Sequence, residues 1–241
     1  MISVQDLKSA ITERCQQYLA EHPLNQRATQ TLPLLQAKNH ILAQDITASF
    51  DIPRQNLSAM DGYAFAKGSE LAEHTALTIV GESVAGKAFD GTLQAGQGVR
   101  IFTGAVVPSD CDTVVMQENT NFNDIKDSID KTQFYAITLT KTATVSSNIR
   151  YQGEEVQTGE TVLTIGKRLN PTDISLLANL GVAQVSVFSP LTVGIIATGD
   201  ELVQIGEPLT HLAKIYNSNT PTLKSLLHEL PIIIKDYGIV A

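Results

Sequence analysis

The sequence predicts a multidomain protein of the α+β and α/β classes. Three observations predict it. Both flanks of the chain carry apolar residues at helical spacing. Between about 50 and 140 the apolar runs become short and turn residues frequent, with glycines at 81, 86, 91, 96, 98 and 104. A continuous apolar run at 191–198 is followed by a helix start and a second apolar run, the order of a βαβ unit. With 241 residues, 43% of them hydrophobic, the chain can fill one large domain or two to three small ones.

Residues 3–20 read as an amphipathic helix. Val4, Leu7, Ile11, Cys15, Tyr18 and Leu19 fall along one face. Ser3 with Asp6 resembles a capping box, and Pro23 lies just past the end. The apolar face is expected to pack on the rest of the chain; a partner groove is the alternative. Residues 32–48 give a short apolar turn or helix, then a strand-like segment.

The stretch Asp51–Ala66 has neither helical nor strand period. Asp61-Gly62 is a turn dipeptide, because glycine accepts positive φ without steric cost. Asp61 is therefore expected at a tight bend. Two readings follow: a hairpin turn whose aspartate satisfies its own backbone, or a carboxylate presented to a ligand.

Segments Ala76–Val80, Val99–Phe102, Thr113–Met116 and Phe134–Leu139 read as strands of a small barrel or sandwich. Thr103-Gly104 ends one of them, as a β-turn or a point of close ligand approach. The glycines form neither a GxxxxGK[ST] nor a GxGxxG pattern. Asp112 and Glu118 read as solvated or turn-forming, Cys111 has no activating neighbour in sequence, and polar Asn119–Lys131 reads as a surface hairpin loop.

Asn170-Pro171-Thr172-Asp173 opens a helix: a cap, a proline in the first turn and an acid at the positive end of the dipole. Gly181 stops it, and strand Val182–Val187 follows. Leu191–Thr198 has the pattern of a parallel strand buried on both faces. It runs into Thr198-Gly199-Asp200-Glu201, at the strand end where open α/β sheets bind ligands. Tyr216–Pro221 then starts a helix, with Asn219 or Thr220 as cap, and free N–H groups at such a start can hold an anion. A second strand is expected at Ile232–Ile234.

Three stretches in order, SAMDGYA at 58–64, RIFTGAVVPSDCDTVVMQE at 100–118 and VGIIATGDEL at 193–202, resemble the molybdopterin molybdenumtransferases. IRYQGEEV at 149–156 resembles the same family's IR..GED turn. The chain departs from the family at Asn39-His40, usually Gly-Arg, at Asp110-Cys111, usually Gly-Ala, and at Glu155, usually Asp.

The resemblance implies an elongated mixed α/β first domain (1–48 with 141–188) and an inserted β-rich domain (49–140). It implies that 189–241 is the incomplete first βαβ unit of a molybdopterin-binding-like α/β domain. It further implies insertion of molybdenum from molybdate into adenylylated molybdopterin with release of AMP, supported by Mg²⁺. The residues carried over are Asp61, Thr103, Glu155 and Glu201 as catalytic, Thr198, Gly199, Ser218 and Asn219 as substrate-binding, and Asp200 with Glu201 as metal ligands. Hard carboxylate oxygens suit Mg²⁺. A homodimer joining Asp61 and Glu201 across its interface is implied, as are contacts with other cofactor-biosynthesis proteins. Two rivals stand beside this reading: a non-catalytic pterin-binding or scaffold module, and a nucleotide-processing hydrolase sharing only the α/β part. Family members continue beyond the second strand of the α/β domain. This chain is therefore expected to be inactive by itself, with 191–241 trimmed by protease near 189–191.

The bulk numbers narrow the classes. A net charge of −8 argues against non-specific nucleic-acid binding. No apolar run reaches the ~20 residues of a membrane span, and the N-terminus lacks a signal-peptide pattern. Two distant cysteines, Cys15 and Cys111, argue against structural zinc and for a reducing cytoplasm.

Overall fold

The structure, a computed structural model, describes residues 2–130 and 133–240. It divides into two compact units, Met1–Thr47 with Thr161–Ala241, and Ala48–Glu160.

The Ala48–Glu160 unit is built on one five-stranded sheet in the order Cys111–Met116, Gly62–Ala66, Gln97–Ile101, Ala76–Ser83, Tyr135–Thr138. All neighbours are antiparallel except Ala76–Ser83 with Gln97–Ile101. This replaces the expected barrel or sandwich. Both faces of the sheet are covered by loops and short helices, so no second sheet is needed to bury them.

The strand Gly62–Ala66 is buried at every position. Tyr63 and Phe65 pack with Leu77, Ile79 and Ile137 on one side, and Ala64 and Ala66 with Val99 and Val114 on the other. A strand buried on both faces has no polar alternation, which is why the sequence shows no period here. Gly62 is dictated by its neighbour strand: a Cβ would meet the Val115 carbonyl oxygen at 1.9 Å.

The tract Asn119–Lys131 differs from the expected hairpin loop. It forms 3-10 turns at Gln117–Asn119 and Lys126–Ser128 around a short helix, Phe122–Ile125; Lys131 lies outside the described residues. Phe122 and Ile125, one helical turn apart, pack onto the sheet.

The boundary at 140 also moves, to 160. Ile149–Arg150 pairs with Leu57–Ser58, and Glu155 donates its N–H to the Ile52 carbonyl at 2.9 Å. These bonds tie 149–156 to the β-rich unit.

In the other unit, strand Thr29–Pro33 pairs antiparallel with Gln184–Phe188, over a core of Leu34, Leu42, Leu169, Leu177, Val185 and Val187. Helix Pro171–Asn179 starts in the expected way. Asn170 Oδ1 accepts from Asp173 N at 3.0 Å, and Asp173 Oδ2 accepts from Asn170 N at 2.9 Å. Asn39 takes the left-handed conformation, φ 69°, open to asparagine at that turn.

Helix Val4–Glu21 is capped by Ser3, whose Oγ accepts from Asp6 N at 3.1 Å. Its expected packing is absent. None of its residues is buried, and Val4 and Ile11 are 71% and 55% exposed. The core of this unit is built from later segments, and no residue of the helix enters it.

Leu191–Thr198 pairs in parallel with Ile232–Val240, with helix Asn219–Leu227 between them in sequence. The second strand runs six residues beyond its expected end at Ile234. Burial is one-sided: Ile195 and Ala197 are buried, whereas Leu191 and Ile196 are 61% and 59% exposed. One helix covers one face of a two-stranded sheet and no more.

Candidate active site

The β-rich unit places three of the sequence-predicted residues. In the antiparallel pairing, Gly62 stands opposite Ile101, so the residue before one strand and the residues after the other emerge at the same edge. Asp61 and Thr103 meet there. Asp61 Oδ1 accepts from Thr103 N at 2.8 Å and from Thr103 Oγ1 at 2.7 Å. Among the described residues Oδ2 accepts no hydrogen bond, and the side chain is exposed. The two bonds from Thr103, first the backbone N–H and then the hydroxyl, hold the Asp61 carboxyl below its ordinary range. Ser58 steadies the same edge: its carbonyl accepts from Gly104 N and its own N–H donates to Ala105 O, both at 2.9 Å. The result is an ionised carboxylate with one oxygen fixed and one available.

Glu155 is less open. Its Oε1 accepts from Arg150 Nη2, and Arg150 Nε donates to Glu154 Oε1 at 2.6 Å. The two glutamates raise the basicity of Arg150, Glu155 most, and Arg150 in turn holds Glu154 below the usual carboxylate range.

Asp51 was not legible as a site residue, yet it repeats the geometry of Asp61. Its Oδ1 accepts from Thr158 N and Thr158 Oγ1, both at 2.7 Å, and its Oδ2 accepts from Gln152 Nε2 at 2.6 Å. Asp51 therefore pins the turn that carries Glu155. Its partner Thr158 is 107 residues away, so no local pattern marks the pair.

The other unit holds Thr198, Gly199, Asp200, Glu201, Ser218 and Asn219. Gly199 has φ 147°, and a Cβ there would lie 2.6 Å from Glu201 Oε2 and 2.7 Å from Oε1. The glutamate carboxylate folds over bare backbone, a position only glycine leaves free. Asp200 and Glu201 are exposed. Lys214 Nζ donates to the Asp200 carbonyl at 2.5 Å. The chain then ties this loop to the second one. Leu202–Val203 pairs with Ile215–Tyr216, and Asn217 N donates to Val203 O at 3.0 Å. So the structure brings Thr198–Glu201 and Ser218–Asn219 to neighbouring loops.

The expected cap is corrected here. Neither Asn219 nor Thr220 caps the helix. The N-cap position is Ser218, and the buried Asn217 just before it bonds into the first turn, with Oδ1 accepting from Thr220 N at 3.1 Å and Nδ2 donating to Thr220 Oγ1 at 2.9 Å. Asn219 is the first helical residue, and Ser218 caps nothing with its side chain. The signal was present in the Asn217-x-x-Thr220 spacing, which lets an asparagine side chain accept from a backbone N–H three residues on.

Among the described residues, no group of three or more His, Cys, Asp or Glu side chains lies close enough to hold a metal ion. Two adjacent exposed carboxylates still suit Mg²⁺, which commonly takes one or two protein oxygens and completes its shell with water and substrate phosphates. No helix among the described residues is long and apolar enough to cross a membrane.

The β-rich unit thus interrupts the mixed α/β unit in sequence and carries exposed carboxylates on its connecting loops. Residues 2–181 match the MoeA N-terminal region (domain I and II), and the chain belongs to that family. It is 39% identical over 212 residues to a molybdopterin molybdenumtransferase of Haemophilus influenzae, covering 88% of this chain and 50% of that one. A second, from Staphylococcus epidermidis, is 34% identical over 237 residues, covering 97% and 52%. The crystal structure of the molybdopterin biosynthesis moeA protein from Pyrococcus horikoshii OT3 superposes with a TM-score of 0.74 at 30% identity, covering 88% of this chain and 55% of that one. The chain thus spans about half the length of the curated relatives it matches.

Proposed function

We propose that the chain serves molybdenum cofactor biosynthesis, as part of a transferase that moves molybdenum from molybdate into adenylylated molybdopterin. Molybdenum enters the dithiolene, the phosphoanhydride is hydrolysed and AMP leaves. The observation that carries this reading is the Asp61–Thr103 pair, which lies inside the segment matched by the MoeA N-terminal family. Asp61 offers one fixed and one available oxygen on an exposed edge, which suits orientation of a substrate or a proton transfer. Thr103 positions Asp61, and Glu155 acts only after release from Arg150.

In the other unit, Thr198, Gly199, Ser218 and Asn219 form the substrate-facing loops of the proposal. Asp200 and Glu201 would hold Mg²⁺, which would supply positive charge against the substrate's phosphates. The active protein is a homodimer in this reading, and 189–241 belongs to a pterin-binding α/β domain.

AMP release from adenylylated molybdopterin, measured with and without molybdate, tests the proposal on this chain and on a version extended to the relatives' full length. Molybdate-dependent AMP release by the extended chain supports it. AMP release that ignores molybdate marks a hydrolase. A pterin-binding scaffold, the reading favoured by the Arg150-locked Glu155, binds the substrate and releases no AMP.

A further inference from the structure

The helical turns after Met116 fold over the five-stranded sheet and leave a cavity of about 530 Å³. That volume lies in the range of small-molecule sites, roughly 300–1,000 Å³. Its walls are mainly apolar and aromatic, with Ile79, Phe102, Phe122 and Tyr135 among them. Neither Asp61 nor Thr103 lines it.

Arg100 also lines this cavity, and it is the unusual member. It is half-buried. Its guanidinium carbon lies 4.9 Å from the ring centre of Tyr63, 5.1 Å from that of Phe102 and 4.6 Å from that of Phe122. Nη2 donates to Gln117 Oε1 at 2.5 Å. Nη1 and the Tyr63 hydroxyl are both shut away from solvent; neither makes a hydrogen bond of good geometry, and Tyr63 lies close enough to interact with Arg100 and Tyr135. Among the described residues Arg100 makes no ion pair. Aromatic faces stabilise a cation in part. They do not replace a carboxylate, and a half-buried guanidinium normally has one.

The remaining charges on the lining are Glu82, Lys126 and Asp127. All three are exposed, so solvent and salt weaken their fields without cancelling them at distances shorter than the Debye length of about 8–10 Å. Glu82 stands opposite Arg100 in the strand register, yet makes no ion pair with it. Arg100 is thus the one charge held among the aromatic walls.

We infer that this cavity binds a small organic anion: a flat apolar ring carrying a carboxylate or phosphate that pairs with Arg100. The rings of Phe102 and Phe122 suit stacking with such a body, and the planar guanidinium suits a two-oxygen acid group. This site is independent of the transferase reading.

Calorimetric titration of the 241-residue chain with benzoate and with phenyl phosphate tests it, and the pair separates a carboxylate from a phosphate preference. Benzamide supplies the ring without charge, and inorganic phosphate the charge without the ring. At least one aryl anion should saturate, with both controls about tenfold weaker or more. Arg100→Gln should weaken that binding about tenfold or more. Because Arg100 packs among core aromatics, the exposed Glu82→Gln gives a second measurement. Removing that like charge should tighten aryl-anion binding about twofold or more. The proposal is overturned if neither aryl anion saturates up to about 10 mM, or if benzamide binds equally well. Unchanged affinity in Glu82→Gln together with a folded, unchanged Arg100→Gln overturns it too; if Arg100→Gln does not fold, an unchanged Glu82→Gln is decisive alone.

Discussion

Asp61 and Thr103 are 42 residues apart in sequence and joined twice in space, with Asp61 Oδ1 receiving both the N–H and the hydroxyl of Thr103. This divides the carboxylate: Oδ1 fixes the edge of the sheet, and Oδ2 is left for chemistry.

Asp61→Asn keeps an acceptor at Oδ1 and removes the charge. The fold should survive with little change in unfolding midpoint, while molybdenum insertion by the extended protein falls severely. Glu201→Gln in the same background should weaken the dependence on Mg²⁺. Normal turnover by a stable Asp61→Asn protein would remove Asp61 from the site, and an unchanged magnesium titration would do the same for Glu201.

Acid sensitivity follows from the same bonds. Asp51 and Asp61 are both held below their ordinary value of 3.8, each chiefly by its threonine. A carboxyl more acidic in the folded state stabilises the fold above its unfolded pKa. That contribution is lost as pH falls through the lowered folded value. The β-rich unit should therefore lose stability below about pH 4. An Asp51→Asn, Asp61→Asn double variant should show a shallower acid transition by circular dichroism than the parent; coincident curves would contradict the assignment.

Gly62→Ala should destabilise the β-rich unit by more than the ~1–3 kcal/mol typical of overpacked cores. The added methyl meets the Val115 carbonyl at 1.9 Å, and backbone within a sheet cannot turn aside as a side chain can. Ala64→Gly is a fair comparison, since it removes volume from the same strand without a clash. Chemical denaturation of both variants gives the ranking, and a Gly62→Ala protein as stable as the parent would contradict the close approach.

The two cysteines should differ sharply toward a thiol reagent. Cys111 is buried, and burial, reinforced by Asp110 and Asp112, pushes its thiol up to about 12. Cys15 is exposed on the first helix. One thiol per chain should react with a chromogenic disulfide at neutral pH in the native protein, and two after unfolding in guanidinium. Two fast thiols in the native state would show that the Cys111 strand is open.

Short-range signals carried a good part of this protein into view. The Asn170–Asp173 cap, the turn at Asn39, the strand at Leu191–Thr198 and the bend at Asp61 are each decided within a few residues, by hydrogen bonds and backbone preferences that a sequence displays directly. The three motif stretches pointed to the molybdopterin molybdenumtransferases; those at 58–64 and 100–118 lie inside the segment that matches the MoeA N-terminal family, to which the chain belongs.

What only the tertiary structure decided is a matter of long-range pairing. Gly62–Ala66 is buried on both faces because strands from 97–101 and 111–116 flank it, and this erased the alternation that would have marked it as a strand. The role of Asp51 depends on Thr158, and that of Asp61 on Thr103. The first helix shows the converse: its apolar stripe was plain in the sequence, but burial requires a surface that docks on it, and none of its residues is buried. Periodicity states which face of an element can be buried; only the assembled chain states what arrives to bury it.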